Sequence, residues 1–320
     1  MMRIDAVITW VDGNDTNHRQ KRHRYCPQEV LKASDKAGDE RYANIGEIFW
    51  CIASINRFAP WINKIFIVTD EQDPHVEDFL ALTFPEGSIP VEVVDHKQIF
   101  EGYGEYLPTF NSISIETMTW RIPGLSKYYI EFNDDLMLTA PVSPEDFFTA
   151  DGKVICYGKW ASIPFTRLTR LFKPKGTVTT KSSHANGAVM AGCRLWYLRL
   201  DHCQKALRRD FWEEYYKVNQ DKMIENIQFR FRDVRQFTSQ ALQYIMLYKE
   251  GKCIIKPVGN EMFFFQPNGN HDYFLRKMEK LQEFEGKFLC LNSIEKTDEM
   301  EREQLLRWIH GKLELKLTSK

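Results

Sequence analysis

Through the first 135 residues, short apolar runs that end in polar turns alternate with apolar positions at helical spacing. Ile4-Asp5-Ala6-Val7-Ile8-Thr9-Trp10-Val11 is almost continuously apolar and gives way to Asp12-Gly13-Asn14-Asp15, which predicts a buried strand followed by a turn. Residues 16–40 are dense in charge, with little periodicity, and read as a surface loop or lid. Ile45, Ile48, Phe49, Ile52, Ile55 and Phe58 then recur with the period of a helix that Pro60 stops. Lys64–Asp70, Val91–Asp95 and Tyr128–Phe132 predict three more strands, the last running into Asn133-Asp134-Asp135.

Strand and helix in alternation predict an α/β fold, a mostly parallel Rossmann-like sheet flanked by helices. Ligands of such sheets sit beyond the carboxyl ends of the strands. Here those ends carry Asp12, Asp70, Asp95 and the Asp134-Asp135 pair, so one edge of the sheet collects carboxylates. The second half reads as helix-rich. Helices are expected over 201–217, 219–229 and 235–249, with Gly251 as a stop, followed by a strand pair within 253–265 and a helix near 273–284. Lys287–Leu291 predicts one more strand, ending at Asn292. A last helix opens at Thr297, with Asp298, Glu299 and Glu301 suiting its positive end, and stops near Gly311. The expected organisation is an α/β core over 1–150, with 151–320 supplying a basic segment and a helix-rich region packed on the same core.

Composition narrows the class. With 43% hydrophobic residues among 320, the chain can bury a sizeable core. No apolar stretch approaches the length of a spanning helix. The seven cysteines are scattered without a CxxC pair, which argues against a disulfide framework or structural zinc and predicts a reducing, cytoplasmic setting. The start of the chain has no signal-peptide anatomy. Net charge is −1, yet from Gly152 to Leu200 there are nine Lys and Arg and no Asp or Glu. A basic face of this kind attracts phosphates, an anionic polymer or an acidic membrane surface. No nucleic-acid motif accompanies it, so nucleic acid is not expected as a partner.

The sharpest chemical signal is Asn133-Asp134-Asp135, because adjacent carboxylates at a strand end can hold a hard divalent cation and offset the charge of a diphosphate. The same triplet also suits a plain turn. Asn111 or Ser112 can cap a helix and place Glu116 one turn inside it. His202, at the head of the expected 201–217 helix, is a natural proton acceptor for a hydroxyl. Arg230-Phe231-Arg232 sets two planar guanidinium groups on one short segment, which suits phosphate oxygens. GxGxxG, GxxxxGK[ST], GxSxG and HExxH are all absent, which removes dinucleotide, P-loop, serine-hydrolase and zinc-protease readings.

Taken in order, these pieces resemble the Stealth family of sugar-phosphate transferases. Its first block resembles Ile4–Asp15. Its second resembles the stretch from Arg41 through Glu47, Ala59-Pro60-Trp61, Ile67–Asp70, Leu107–Ser112, Glu116, Arg121–Leu125 and Phe132–Asp135. A third, weaker block is similar to His202 through Arg232, and a short last one to Cys290-Leu291-Asn292. The chain departs from the pattern at Met118 and Trp120, where the family usually carries histidine, at Ala53 in place of arginine, and at Ser293 in place of aspartate.

The resemblance implies a GT-A-like sheet, a UDP-sugar donor, and transfer of sugar-1-phosphate to a glycan or lipid-linked glycan with release of UMP. It implies Mg²⁺ or Mn²⁺ on Asp134 and Asp135, and Arg230 or Arg232 against phosphate charge. Glu116 or His202 would remove the acceptor proton. Thr9, Trp10, Asp12 and Gly13 would form part of the nucleotide pocket, and Asn111, Ser112, Arg121 and Asn133 would contact the donor. The expected acceptor is anionic, and the expected location is the cytoplasm or the inner face of the membrane. The runner-up is an ordinary metal-dependent glycosyltransferase that releases UDP. A non-enzymatic carbohydrate-binding protein is the third reading, and it leaves the acidic edge without a purpose.

Overall fold

The computed structural model describes residues 2–26, 42, 44–172 and 177–315. Arg41 and most of the expected 16–40 loop, together with Lys173 and Lys175 of the basic span, lie outside the described residues. Strand β1 (Ile4–Thr9) is followed by helices α1 (Thr16–Tyr25) and α2 (Glu47–Phe58), then β2 (Ile65–Thr69), α3 (Val76–Thr83), β3 (Val91–Asp95), α4 (His96–Ile99), α5 (Ser112–Glu116), β4 (Tyr128–Asn133) and β5 (Leu136–Leu138). The second half contains β6 (Val154–Ser162), α6 (Ile163–Arg170), α7 (Thr180–Met190), β7 (Trp196–Leu200), β8 (Lys205–Arg208), α8 (Arg209–Val218), α9 (Gln220–Ile227) and α10 (Ser239–Lys249). It ends with β9 (Cys253–Lys256), β10 (Met262–Phe265), α11 (His271–Gln282), β11 (Phe288–Leu291) and α12 (Glu299–Lys312).

The main sheet has the order β3-β2-β1-β4-β8, parallel except for β8, which runs antiparallel at the edge. β1 sits at its centre between β2 and β4, and a strand covered on both faces needs the near-continuous apolar run seen in the sequence. Its one charge, Asp5, is fully buried and accepts hydrogen bonds from Asn63 Nδ2 at 2.6 Å and the Ser126 amide at 2.7 Å. α2 begins after Gly46, whose φ of 106° suits glycine, and ends before Pro60. Its apolar positions face the core shared with β1, β2 and β4. Two small sheets, β10-β11-β5 and β7-β6-β9, flank the main one. The mixed α/β architecture with mostly parallel pairing agrees with the reading from sequence.

Three local expectations are corrected. Part of the presumed loop at 16–40 is α1, capped by Asp15, whose carboxylate accepts from the His18 amide at 2.7 Å. Its inward side is made by His18 and Arg22, so no apolar period marks it. The expected helix over 201–217 starts only at Arg209, because Lys205–Arg208 pairs antiparallel with β4. His202 therefore stands in the turn between β7 and β8 and opens no helix. The expected strand pair within 253–265 is two strands of different sheets, β9 beside β6 and β10 beside β11.

Candidate active site

The carboxyl edge of the main sheet opens onto two adjoining cavities. The outer one, about 570 Å³, lies between α1 and the end of β2 and is lined by Asp12, Lys21, Asp70 and Gln72 among others. The inner one, about 420 Å³, lies over the ends of β1 and β4. Trp10 and His18 line both. The turn after β1 is held from outside: Gly13 donates to the Tyr42 carbonyl at 2.8 Å, and a Cβ at Gly13 would stand 2.0 Å from that oxygen. Only glycine lets the two segments meet.

The paired aspartates form the floor of the inner cavity. Asn133 ends β4, and Asp134-Asp135 turn the chain from the main sheet into β5. Burial, with Asp135 next, pushes the Asp134 carboxyl well above the usual carboxylate range. Burial also raises Asp135, although Asn292 Nδ2 at 3.4 Å and Cys290 Sγ at 3.6 Å donate to its Oδ2. Two recessed carboxyls that resist ionisation side by side suit a divalent cation, which would relieve both causes at once. The donor set is all oxygen and therefore fits Mg²⁺ or Mn²⁺.

α5 and the 229–236 segment supply a further part of the cavity wall. Asn111 caps α5 by accepting from the Ile113 amide, is fully buried, and donates through Nδ2 to Phe229 O at 2.9 Å and Gln236 Oε1 at 2.8 Å. Its polar atoms thus hold the segment that carries Arg232. Arg232 Nη2 donates to Ser112 Oγ at 2.6 Å, and both residues line the cavity. Arg230 instead donates to the carbonyls of Glu105 and Leu107, and Arg121 to those of Ile99 and Glu101, and neither lines either of these two cavities. Thr9, Trp10, Ser112, Glu116, Asn133, Asp134, Asp135, His202 and Arg232 converge on the inner cavity, and Asp12 faces the outer one.

Several lining groups went unnamed in the sequence. His184 and Lys205 face the same space, as does His96 beyond β3. Burial holds His184 down to about 3 and His96 to about 4, and burial with Lys205 lowers His202, so all three rings are neutral near pH 7. Both ring nitrogens of His96, His184 Nδ1, Thr109 Oγ1 and Trp10 Nε1 are buried at this wall without a protein partner. Such atoms call for a polar ligand or solvent. Behind the wall, Gln240 Nε2 donates to Glu116 Oε2 at 2.9 Å and also to the buried Glu131. Burial, then the nearby Glu116, raises Glu131 to about 7. A glutamate inside the apolar run Tyr-Tyr-Ile-Glu-Phe was the signal for it; His184 and Lys205 had none.

A third group, His271, Asp298 and Glu301, brings its ligand atoms within 4.8 Å of one another at the start of α12. Asp298 and Glu301 form the helix capping box, and His271 Nδ1 lies 3.0 Å from Glu301 Oε1, which accounts for the cluster without a cation.

Fold and site together define an α/β protein with a cavity at the carboxyl edge of a mostly parallel sheet, lined by clustered carboxylates and a guanidinium. Residues 2–28 match the Stealth conserved region 1 and residues 41–155 the Stealth conserved region 2. The chain's curated relatives include the capsular polysaccharide phosphotransferase LcbA of Neisseria meningitidis, 29% identical over 84% of this chain and 70% of the relative. WcwK of Streptococcus pneumoniae, another capsular polysaccharide phosphotransferase, is 40% identical over 48% of this chain. The exopolysaccharide phosphotransferase SCO6021 of Streptomyces coelicolor is 32% identical over 76%. The chain spans 43% of the length of each of the latter two. Among solved structures, mouse xyloside xylosyltransferase 1 aligns over 93% of this chain and 99% of that one, at 11% identity and a TM-score of 0.42. The inositol-1-phosphate CTP transferase of T. maritima aligns over 99% and 98%, at 9% identity and a TM-score of 0.40.

Proposed function

We propose that this chain is a polysaccharide phosphotransferase that moves sugar-1-phosphate from a UDP-sugar to a glycan hydroxyl, forms a phosphodiester and releases UMP, in assembly of a capsule or cell-surface polysaccharide. The observation that carries the reading is that the recessed Asp134-Asp135 pair and Arg232 line one cavity, inside a chain whose relatives are polysaccharide phosphotransferases. Phosphoryl transfer asks a protein mainly for in-line positioning and for charge compensation on the non-bridging oxygens.

Asp134 and Asp135 would hold Mg²⁺ or Mn²⁺, which when bound neutralises the donor diphosphate. Arg232, oriented by Ser112, and Lys205 offer positive charge to the transferred phosphate and to an anionic acceptor. Thr9, Trp10 and the Asp12-Gly13 turn border the nucleotide end. Glu116 and His202 both open onto the cavity as groups that can take the acceptor proton. Arg230, Arg121 and Asn111 act as positioning residues, through the backbone they hold. The decisive experiment incubates the chain with a panel of UDP-sugars, Mg²⁺ and glycan acceptors and separates the nucleotide products. UMP with a phosphorus-containing product supports the proposal; UDP with a phosphorus-free product would assign the chain to the glycosyltransferases.

A further inference from the structure

α6 turns its apolar side to solvent. Ile163 is buried and the Thr166 hydroxyl bonds the Tyr197 hydroxyl at 3.2 Å, which fixes the inward side. At helical spacing Phe165 and Leu168 then fall on the outward side, and Phe172 follows in the turn just past the helix. They are 64%, 54% and 85% exposed. A surface helix ordinarily does the reverse. The ladder from β6 to β7 extends the patch, because the Ile163 amide donates to Leu195 O at 2.9 Å and Ser162 pairs with Trp196, and both Leu195 and Trp196 are exposed. Arg167 and Arg170 lie on the same helix, toward its Ile163 side, Arg194 precedes Leu195, and the sequence has no carboxylate between residues 152 and 200.

We propose that this face docks on an anionic lipid surface, with α6 lying in the headgroup region and Phe165, Leu168 and Phe172 inserted below it. Charge complementarity chooses the occupant. An exposed apolar helix face on a segment that carries cations and no carboxylate matches an interface that is anionic at its surface and apolar beneath. An anionic polysaccharide would satisfy the arginines and leave the large apolar side chains in water. A second copy meeting this face symmetrically would set arginine against arginine. α6 leads toward α7, whose Thr180, Ser183 and His184 line the inner cavity, so docking would hold that cavity beside the bilayer. A lipid-linked acceptor would meet it there. This last step rests on the function proposed above; the docking does not.

The test is vesicle flotation of the full chain, scored separately from nucleotide release. Vesicles containing phosphatidylglycerol should carry the wild type, and pure phosphatidylcholine vesicles should not. F165S/L168S/F172S should lose more than about tenfold in affinity, and R167Q/R170Q/R194Q should bind weakly and lose most of the salt dependence. Both variants should keep the wild-type melting temperature, since the side chains changed are exposed apart from the half-buried Arg170. A wild type that stays off anionic vesicles, or an apolar triple variant that binds them unchanged, overturns the proposal. So does a wild-type dimer in sedimentation equilibrium that the same triple variant dissociates, which would give the face to a second copy. Binding to a soluble anionic polysaccharide, without vesicles and lost in the same variants, would give it to the polymer.

Discussion

Asp135 accepts hydrogen bonds from a thiol and an amide while burial keeps it from ionising freely, and this combination separates a catalytic from a structural role. Asp135→Asn keeps an acceptor oxygen for Cys290 and Asn292 and removes only the charge. Turnover should fall on the order of a hundredfold or more, the melting temperature should stay level or rise, and EDTA should silence the wild type in the same way. Full activity in EDTA, with near-normal turnover of the variant, would remove the metal from the mechanism. Glu116→Gln and His202→Asn separate the two proton acceptors. The one that acts should cost about a hundredfold or more in kcat and flatten one limb of the pH profile, while the other should change rate less than about tenfold.

Glu131 makes a different prediction, about stability and pH. Its carboxyl is raised to about 7 by burial and by Glu116, whereas in the unfolded chain it titrates near 4.5. Between those values the folded chain keeps a proton that the unfolded chain has released, so stability is lost as pH rises through the window. Glu131→Gln should match the wild type at pH 4 and exceed it at pH 8 by on the order of 1–3 kcal/mol. Urea melts at the two pH values check this, and equal stability at pH 8 would mean that the pair carries no buried charge. Sequence made Asp134 and Asp135 visible because they are adjacent and follow an apolar run. It could not show that Glu131 and Glu116 share Gln240, whose partners lie 109 and 124 positions away.

Among the elements, α5 is short but holds much of the wall. Through Asn111 it fixes the 229–236 segment, and Gln236 returns hydrogen bonds to Ser114 Oγ at 3.1 Å and Asn226 O at 2.7 Å. Asn111→Ala would remove the cap and leave Phe229 O and the Gln236 amide buried without that partner. The expected cost is about 2–4 kcal/mol. The donor KM should rise as Arg232 loses its registration, while the proton-transfer limb of the pH profile keeps its position. A variant with wild-type urea stability and KM would show that the segment holds itself. The parallel strands were legible because burial on both faces forces a continuous apolar run. α1 was not, because its inward side is His18 and Arg22. β8 was not, because Lys-Ala-Leu-Arg has no strand character until β4 offers it an edge.

For the whole molecule, the arrangement of three sheets around two hydrophobic clusters follows from pairings that no local pattern announces. The carboxylate-bearing edge was legible because strand order in a parallel sheet fixes which ends are neighbours, but the flanking sheets depend on partners far along the chain. Ligand linkage offers a test at this scale. A UDP-sugar with Mg²⁺ should stabilise the chain by about 2.7 kcal/mol at a hundredfold excess over Kd, read as a rise in Tm, and Asp135→Asn should abolish the metal-dependent part. An equal rise in the variant would place cation binding elsewhere.

β5, three residues that leave the Asp134-Asp135 turn, pairs with β11 some 150 positions later, and the residues that hold Asp135, Cys290 and Asn292, arrive with that strand. During synthesis on the ribosome the strands of the main sheet up to β4 therefore emerge long before the turn beneath them can be secured. A nascent chain halted before residue 288 has Asp135 without these two partners and β5 without its neighbour. The order of translation thus leaves the turn at Asp134-Asp135 without these partners until residues 288–292 have been made.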